Sequence, residues 1–281
     1  MRFRFLTGAI AVAFAAALLV IASFSLAAPS RLLLAQSPSN AIPVDTELVI
    51  AVDVSYSMDP EEQQIQREGY VEAISSREFM GAIRAGSHGK VALIYFEWAG
   101  PTDQKIIVPW RAIDNPESAD AFAAEITRAP YRRASRTSIG GALMFAKPLF
   151  AASGFRGLRR VIDVSGDGPN NSGPLVVPQR DEIVAMGITI NGLPLMLNRP
   201  NSFSMDIDNL DIYYKDCVIG GPGAFVIPVN ERAQFKEAIR TKLILEIARL
   251  APAARIVPAQ AKPRRISCTI GEQMWRDRWG N

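Results

Sequence analysis

Glu47-Leu-Val-Ile-Ala-Val-Asp-Val-Ser-Tyr-Ser-Met-Asp59 decides how the rest of the chain is read. Leu48 to Val52 is an apolar run rich in β-branched residues, long enough for a strand buried on both faces. Directly behind it come Asp53, Ser55 and Ser57, one carboxylate and two hydroxyls spaced two apart. Oxygen donors gathered at the carboxyl end of a buried strand suit a hard cation such as Mg²⁺. In an open α/β sheet that end of the strands is also where ligands bind.

Upstream, Arg2 and Arg4 precede an apolar run from Phe5 to Ala28, with small residues at Ser25 and Ala27. This is the pattern of an export signal, residues 1–27, and the Ala-rich run ending in small residues favours cleavage. Retention as an uncleaved anchor, and so association with a membrane, is the alternative that the length of the run leaves open. Either reading places the folded part outside the cytoplasm, periplasmic or secreted. The chain carries 31 basic and 28 acidic residues. Arg2, Arg4 and Arg31 lie within residues 1–35, so the remainder is balanced and has no excess charge to steer it towards nucleic acid. In an exported chain Cys217 and Cys268 read as a disulfide pair. Closing a loop of about fifty residues restricts the unfolded chain by roughly 4 kcal/mol.

Residues 28–44 read as a linker, with Pro38 and Pro43. A strand over 47–54 is followed by Asp59-Pro-Glu-Glu, which opens a helix expected to run to about Ala85. Val91–Phe96 is a second buried strand. Lys105–Pro109 is a short third one whose proline suits an edge, antiparallel to the second. Helices are expected over 114–128, 137–152, 178–186 and 231–250, and strands over 159–165, 188–193 and 224–228. A short helix is possible over 208–215. This alternation predicts an α/β fold: a doubly wound, mostly parallel sheet with one short antiparallel edge strand and helices on both faces. One domain is expected over 45–250, with a Pro-rich basic tail, 251–281, tied back by Cys268.

Two further oxygen donors fall on the same end of such a sheet, Thr137 at the head of a helix and Asp167 just past a strand. Asp53-x-Ser55-x-Ser57, Thr137-Ser-Ile-Gly-Gly-Ala-Leu143 and Asp167-Gly168 together resemble the von Willebrand factor type A domain, a Rossmann-like fold, and its metal-ion-dependent adhesion site. The stretch Tyr213 to Phe225 resembles an exported bacterial branch of that superfamily of undefined function. The resemblance implies that Asp53, Ser55, Ser57, Thr137 and Asp167 hold Mg²⁺ or Mn²⁺. It also implies that an acidic side chain of a partner protein completes the coordination, in adhesion or assembly rather than turnover. Two departures stand out: Arg136 where many relatives have glycine, and Ser165-Gly-Asp-Gly168 where many have Thr-Asp-Gly.

Glu97, Trp98 and Arg136 are expected at the ligand rim, with Arg132 and Arg133 as possible contributors. Asp163, inside a strand, reads as an ordinary buried carboxylate with a hydrogen bond. His88 is the only histidine and sits in a Gly-Ser-His-Gly turn, which argues against zinc or Ser-His-Asp chemistry. Two other functions compete with binding. A metal-dependent hydrolase or phosphatase would use Asp53, although a haloacid-type phosphatase carries Asp-x-Asp where this chain has Ser55. A structural envelope domain would leave the site empty.

Overall fold

The structure, a computed structural model, describes residues 40–197, 207–248 and 266–280. The expected leader lies outside the described residues. Among those described, no helix is long and apolar enough to cross a membrane.

Strand β1 (Ile42–Asp53) is buried from Val44 onwards, on both faces. Its alternation sends Leu48, Ile50 and Val52 into one apolar cluster and Val49 and Ala51 into another. A strand that feeds two cores must be central, and β1 is. The described sheet has the order β3-β2-β1-β4-β5, formed with β2 (Val91–Trp98), β3 (Gln104–Ile113), β4 (Phe155–Gly166) and β5 (Thr189–Pro194). β1 runs parallel to both β2 and β4, β4 parallel to β5, and β3 antiparallel to β2. The strand order reverses between β1 and β4, so the switch point that favours a ligand lies where those two strands end.

Helices α1 (Pro60–Ile74), α2 (Arg77–Arg84), α3 (Pro116–Arg128) and α7 (Phe235–Ala248) cover the Leu48 face. α4 (Ile139–Ala146), α5 (Val176–Ala185) and the turn α6 (Leu210–Tyr213), continued by a π-helical turn Tyr214–Val218, cover the other. The caps explain the starts. Asp59 and Glu62 form a capping box at α1, Asn115 caps α3, and Pro60 and Pro116 open the first turns.

Several elements differ from expectation for local reasons. The helix expected from Asp59 to Ala85 is two helices, because the Ser76 hydroxyl accepts from the Phe79 amide and starts a new one. The helix expected from Thr137 begins at Ile139, capped by Ser138. It tightens to a 3-10 turn at Lys147–Phe150, where Pro148 has no N–H to give. β3 continues past Pro109 because the β2–β3 register shifts there, and a bulge on an edge strand tolerates a proline. The strand expected at 224–228 is reduced to isolated parallel bridges, Gly192 to Val226 and Leu195 to Val229, with Pro228 interrupting the ladder. The tail contains a helix that was not expected, α8 (Ile270–Trp279).

Candidate metal centre

Asp53 is the last residue of β1 and is fully buried. Its Oδ1 accepts from the Ser55 amide at 2.7 Å, which turns the chain sharply at the strand end. The Ser55 and Ser57 hydroxyls are 2.8 Å apart, and Ser57 Oγ donates to Asp167 Oδ1 at 2.7 Å. Four of the five donors read from the sequence therefore form one hydrogen-bonded chain. It spans the gap between β1 and the loop after β4.

Thr137 reaches the same end of the sheet through its backbone. The Ala134 amide donates to the Val54 carbonyl at 3.1 Å, and the Tyr56 amide to the Ala134 carbonyl at 2.9 Å, so the 130–138 loop runs alongside the Asp53–Ser57 turn. On its other side Thr137 exchanges two bonds with Asn171: its amide donates to Asn171 Oδ1 at 3.0 Å, and the Asn171 amide to its carbonyl at 2.9 Å. Thr137 is buried between the two loops that carry the other donors.

Burial pushes the Asp53 carboxyl well above the usual carboxylate range, and the nearby Asp167 charge pushes it further. Hydrogen bonds from Ser55 and from the Asp167 backbone act in the opposite direction. Asp53 Oδ2 is buried without a hydrogen-bond partner, at an ordinary cost of about 1–3 kcal/mol for such a group. Gly166, which departs from the usual pattern, is needed here. A Cβ on it would lie 2.9 Å from Asp53 Oδ2 and 2.9 Å from the Tyr214 hydroxyl. That hydroxyl is also buried without a partner, and burial followed by the Asp53 charge raises its pKa so that it stays a phenol.

A cation of high oxygen affinity fits this set: two carboxylates, one with its Oδ2 unsatisfied, and three hydroxyls. Among the described residues no three His, Cys, Asp or Glu side chains gather as a metal cluster. Hydroxyls would have to complete any coordination sphere.

The expected rim is corrected in part. Trp98 is fully buried in the core on the α4 face. Glu97 is 1% exposed and ion-paired to Arg67 at 2.6 Å, with Arg132 at 3.9 Å. β2 is buried along its whole length, so a residue at its end meets core rather than solvent. Arg132 is also bound to Asp103. Arg133 braces the turn that follows β1, donating to the Tyr56 and Met58 carbonyls. Of the residues expected at or near the rim, Arg133 and Arg136 are exposed. Asp163 accepts from the Tyr70 hydroxyl at 3.2 Å and pairs with Lys242, the structural role expected of it. His88 is exposed in its turn.

Sequence reading missed Tyr214, Asn170, Asn171 and Trp275. Asn170 Oδ1 accepts from the Gly140 amide at 3.0 Å. Asparagines in a Pro-Asn-Asn-Ser loop look like ordinary turn residues, and only the fold brings them against Thr137.

A family model described as "Protein of unknown function (DUF1194)" matches residues 43–251. The chain belongs to the DUF1194 family. No curated protein matches this DUF1194 member by sequence. Its fold is similar to that of proximal thread matrix protein 1 from the mussel byssus, with a TM-score of 0.53 at 16% identity, over 74% of this chain and 49% of that one. A second structure of the mussel protein, described as having a zinc-occupied MIDAS motif, matches with a TM-score of 0.52 at 16% identity, over 74% of this chain and 48% of that one. The pilus adhesin SpaC from Lactobacillus rhamnosus GG matches with a TM-score of 0.54 at 12% identity, over 75% of this chain and 31% of the adhesin. This DUF1194 chain thus spans about half or less of each of these proteins, and identities this low establish a shared fold alone. That fold is α/β and similar to the von Willebrand factor type A kind, with a mostly parallel sheet and an antiparallel β2–β3 edge pair.

Proposed function

We propose that this DUF1194 protein is an exported binding module that captures a partner protein through a divalent cation, Mg²⁺ or Mn²⁺. Asp53, Ser55, Ser57, Thr137 and Asp167 would hold the cation. When bound, it supplies an open position for an acidic side chain of the partner. The observation that carries this reading is Asp53, a fully buried carboxylate with an unpartnered oxygen at the switch point of the sheet, joined by hydrogen bonds to Ser55, and through Ser57 to Asp167.

The chain's own residues prepare the site. The Ser55 amide orients Asp53, the two serine hydroxyls relay to Asp167, and Asn171 fixes Thr137 between the loops. Neutral hydroxyls leave much of the cation's charge uncompensated, which favours an incoming carboxylate. The disulfide between Cys217 and Cys268 supports an exported location. The adhesin and the matrix protein that share the fold support binding over turnover.

Affinity capture from an envelope extract tests the reading. A partner retained in Mg²⁺ should be released by chelator and should not be retained by Asp53→Ala or Asp167→Ala proteins that fold normally. Capture unchanged by chelator and by both variants would sink it.

A further inference from the structure

Helix α8 follows the segment that the family model matches, yet it touches both loops of the candidate site. The Arg136 guanidinium carbon lies 3.3 Å from the centre of the Trp275 ring. Glu272 Oε1 accepts from Asn170 Nδ2 at 2.7 Å. Gly271 sits so close to Asn170 that a Cβ there would come within 2.1 Å of the Asn170 carbonyl oxygen. The helix is also tethered covalently. Cys268, two residues before it, is bonded to Cys217 in the π-helical turn. That turn carries Tyr214, whose hydroxyl adjoins Asp53, and follows Tyr213, whose hydroxyl accepts from the Asn170 amide at 3.2 Å.

Arg136 holds a φ of +77°, the only positive value at a non-glycine position among the described residues. A side chain in that region is strained, and stacking of a guanidinium on an indole is an attraction of comparable size. The strained residue directly precedes Thr137. Asn170 in turn holds the Gly140 amide, one turn further along.

We infer that α8 is a disulfide-tethered clamp on the candidate metal centre. Trp275 holds Arg136 in its left-handed conformation and Glu272 holds Asn170, and together they keep the Thr137 and Asp167 loops at the spacing the site needs. The inference rests on the metal-site reading above, and names Arg136, Trp275 and Glu272 as positioning residues rather than ligands.

Calorimetric titration of the oxidised chain with Mn²⁺ separates the two ideas. Wild type should bind one ion and Asp53→Ala none. Trp275→Ala, and the double variant Cys217→Ser with Cys268→Ser, should each bind one ion about tenfold more weakly, while Trp275→Phe keeps most of the affinity. The decisive arm is Arg136→Gly. Glycine adopts positive φ without help. Trp275→Ala should therefore cost about tenfold in the otherwise wild-type chain and almost nothing when combined with Arg136→Gly.

Equal Mn²⁺ affinity in wild type and Trp275→Ala, with no binding by Asp53→Ala, would overturn the clamp and leave the metal site standing. An equal loss with and without Arg136→Gly would overturn the role of Arg136. If wild type binds no Mn²⁺ the metal reading fails, and the clamp is then judged on metal-free protein. Faster amide exchange at Thr137 and Gly140 in Trp275→Ala supports it, and unchanged exchange refutes it.

Discussion

Asp163 and Asp53 are both fully buried on neighbouring strands, Asp163 inside β4 opposite Ile50 and Asp53 at the end of β1. Their surroundings differ in the charge each one meets. Asp163 is held by a cation of the protein's own: Lys242, itself fully buried, is paired to both Asp163 and Glu246. Tyr70 donates to Asp163 and Asn191 to Glu246, so the cluster is hydrogen-bonded from several sides. Asp53 is paired with no lysine or arginine among the described residues. Its Oδ2 has no partner, and the charge that acts on it is another carboxylate. The first cluster holds its own cation, although Glu246 Oε2 there is buried without a hydrogen-bond partner. At the other, Asp53 lies beside a second carboxylate, Asp167, and two serine hydroxyls, and that contrast argues for function at Asp53 and structure at Asp163.

Breaking the first cluster should have the largest effect. Lys242→Met leaves two buried carboxylates without their cation and should lower stability by about 3–5 kcal/mol in urea unfolding. A loss below about 1 kcal/mol would mean that the lysine is dispensable, and the contrast with Asp53 would fail.

Glu246 gives the same cluster a pH signature. Burial, and then the Asp163 charge, raise its pKa to about 7 from the ordinary 4.5, against the opposing pull of Lys242. The folded state then holds a proton that the unfolded state has released. Its contribution is full below about pH 4.5 and is lost as pH rises through about 7. The fall should be at most roughly 3 kcal/mol. Glu246→Gln should remove this slope, and identical pH–stability curves for variant and wild type would refute the assignment.

Binding of a divalent cation at the proposed site should stabilise the protein. At about a hundredfold excess over Kd, Mg²⁺ or Mn²⁺ should contribute about 2.7 kcal/mol, a rise in Tm of roughly 5–10 °C. Thermal scans of Asp53→Ala should show no rise. The smallest effect is expected in the metal-free protein. There Asp53→Asn removes a buried charge while keeping an oxygen for the Ser55 amide, and should raise stability by about 1 kcal/mol at pH 8. A loss instead would mean that the carboxylate is retained for the fold.

The α/β alternation was legible because each buried strand is a compact apolar run between turn residues, as in Val91–Phe96. Asp53, Ser55 and Ser57 were legible because a fixed turn follows a central strand, so neighbours in sequence must be neighbours in space. The disulfide was legible from export and from having two cysteines. The boundaries of α1 and α4 were not, since whether Ser76 or Ser138 serves as a cap depends on where the chain turns. The burial of Glu97 and Trp98 was also hidden. A strand apolar on every position carries no sign of which end faces water, and Arg67, thirty residues earlier, neutralises the glutamate.

By itself the sequence determined the α/β alternation, the buried character of β1 and the place of Asp53, Ser55 and Ser57 in one turn at its end, because these depend on residue type and short spacings. Only the tertiary structure decided that Tyr214 adjoins Asp53, that Asn171 holds Thr137, and that Trp275 in the tail stacks on Arg136. Those contacts join residues far apart in sequence, and no local periodicity encodes them. They exist because the parallel sheet collects every β–α loop at one edge and a disulfide returns the tail to that same edge.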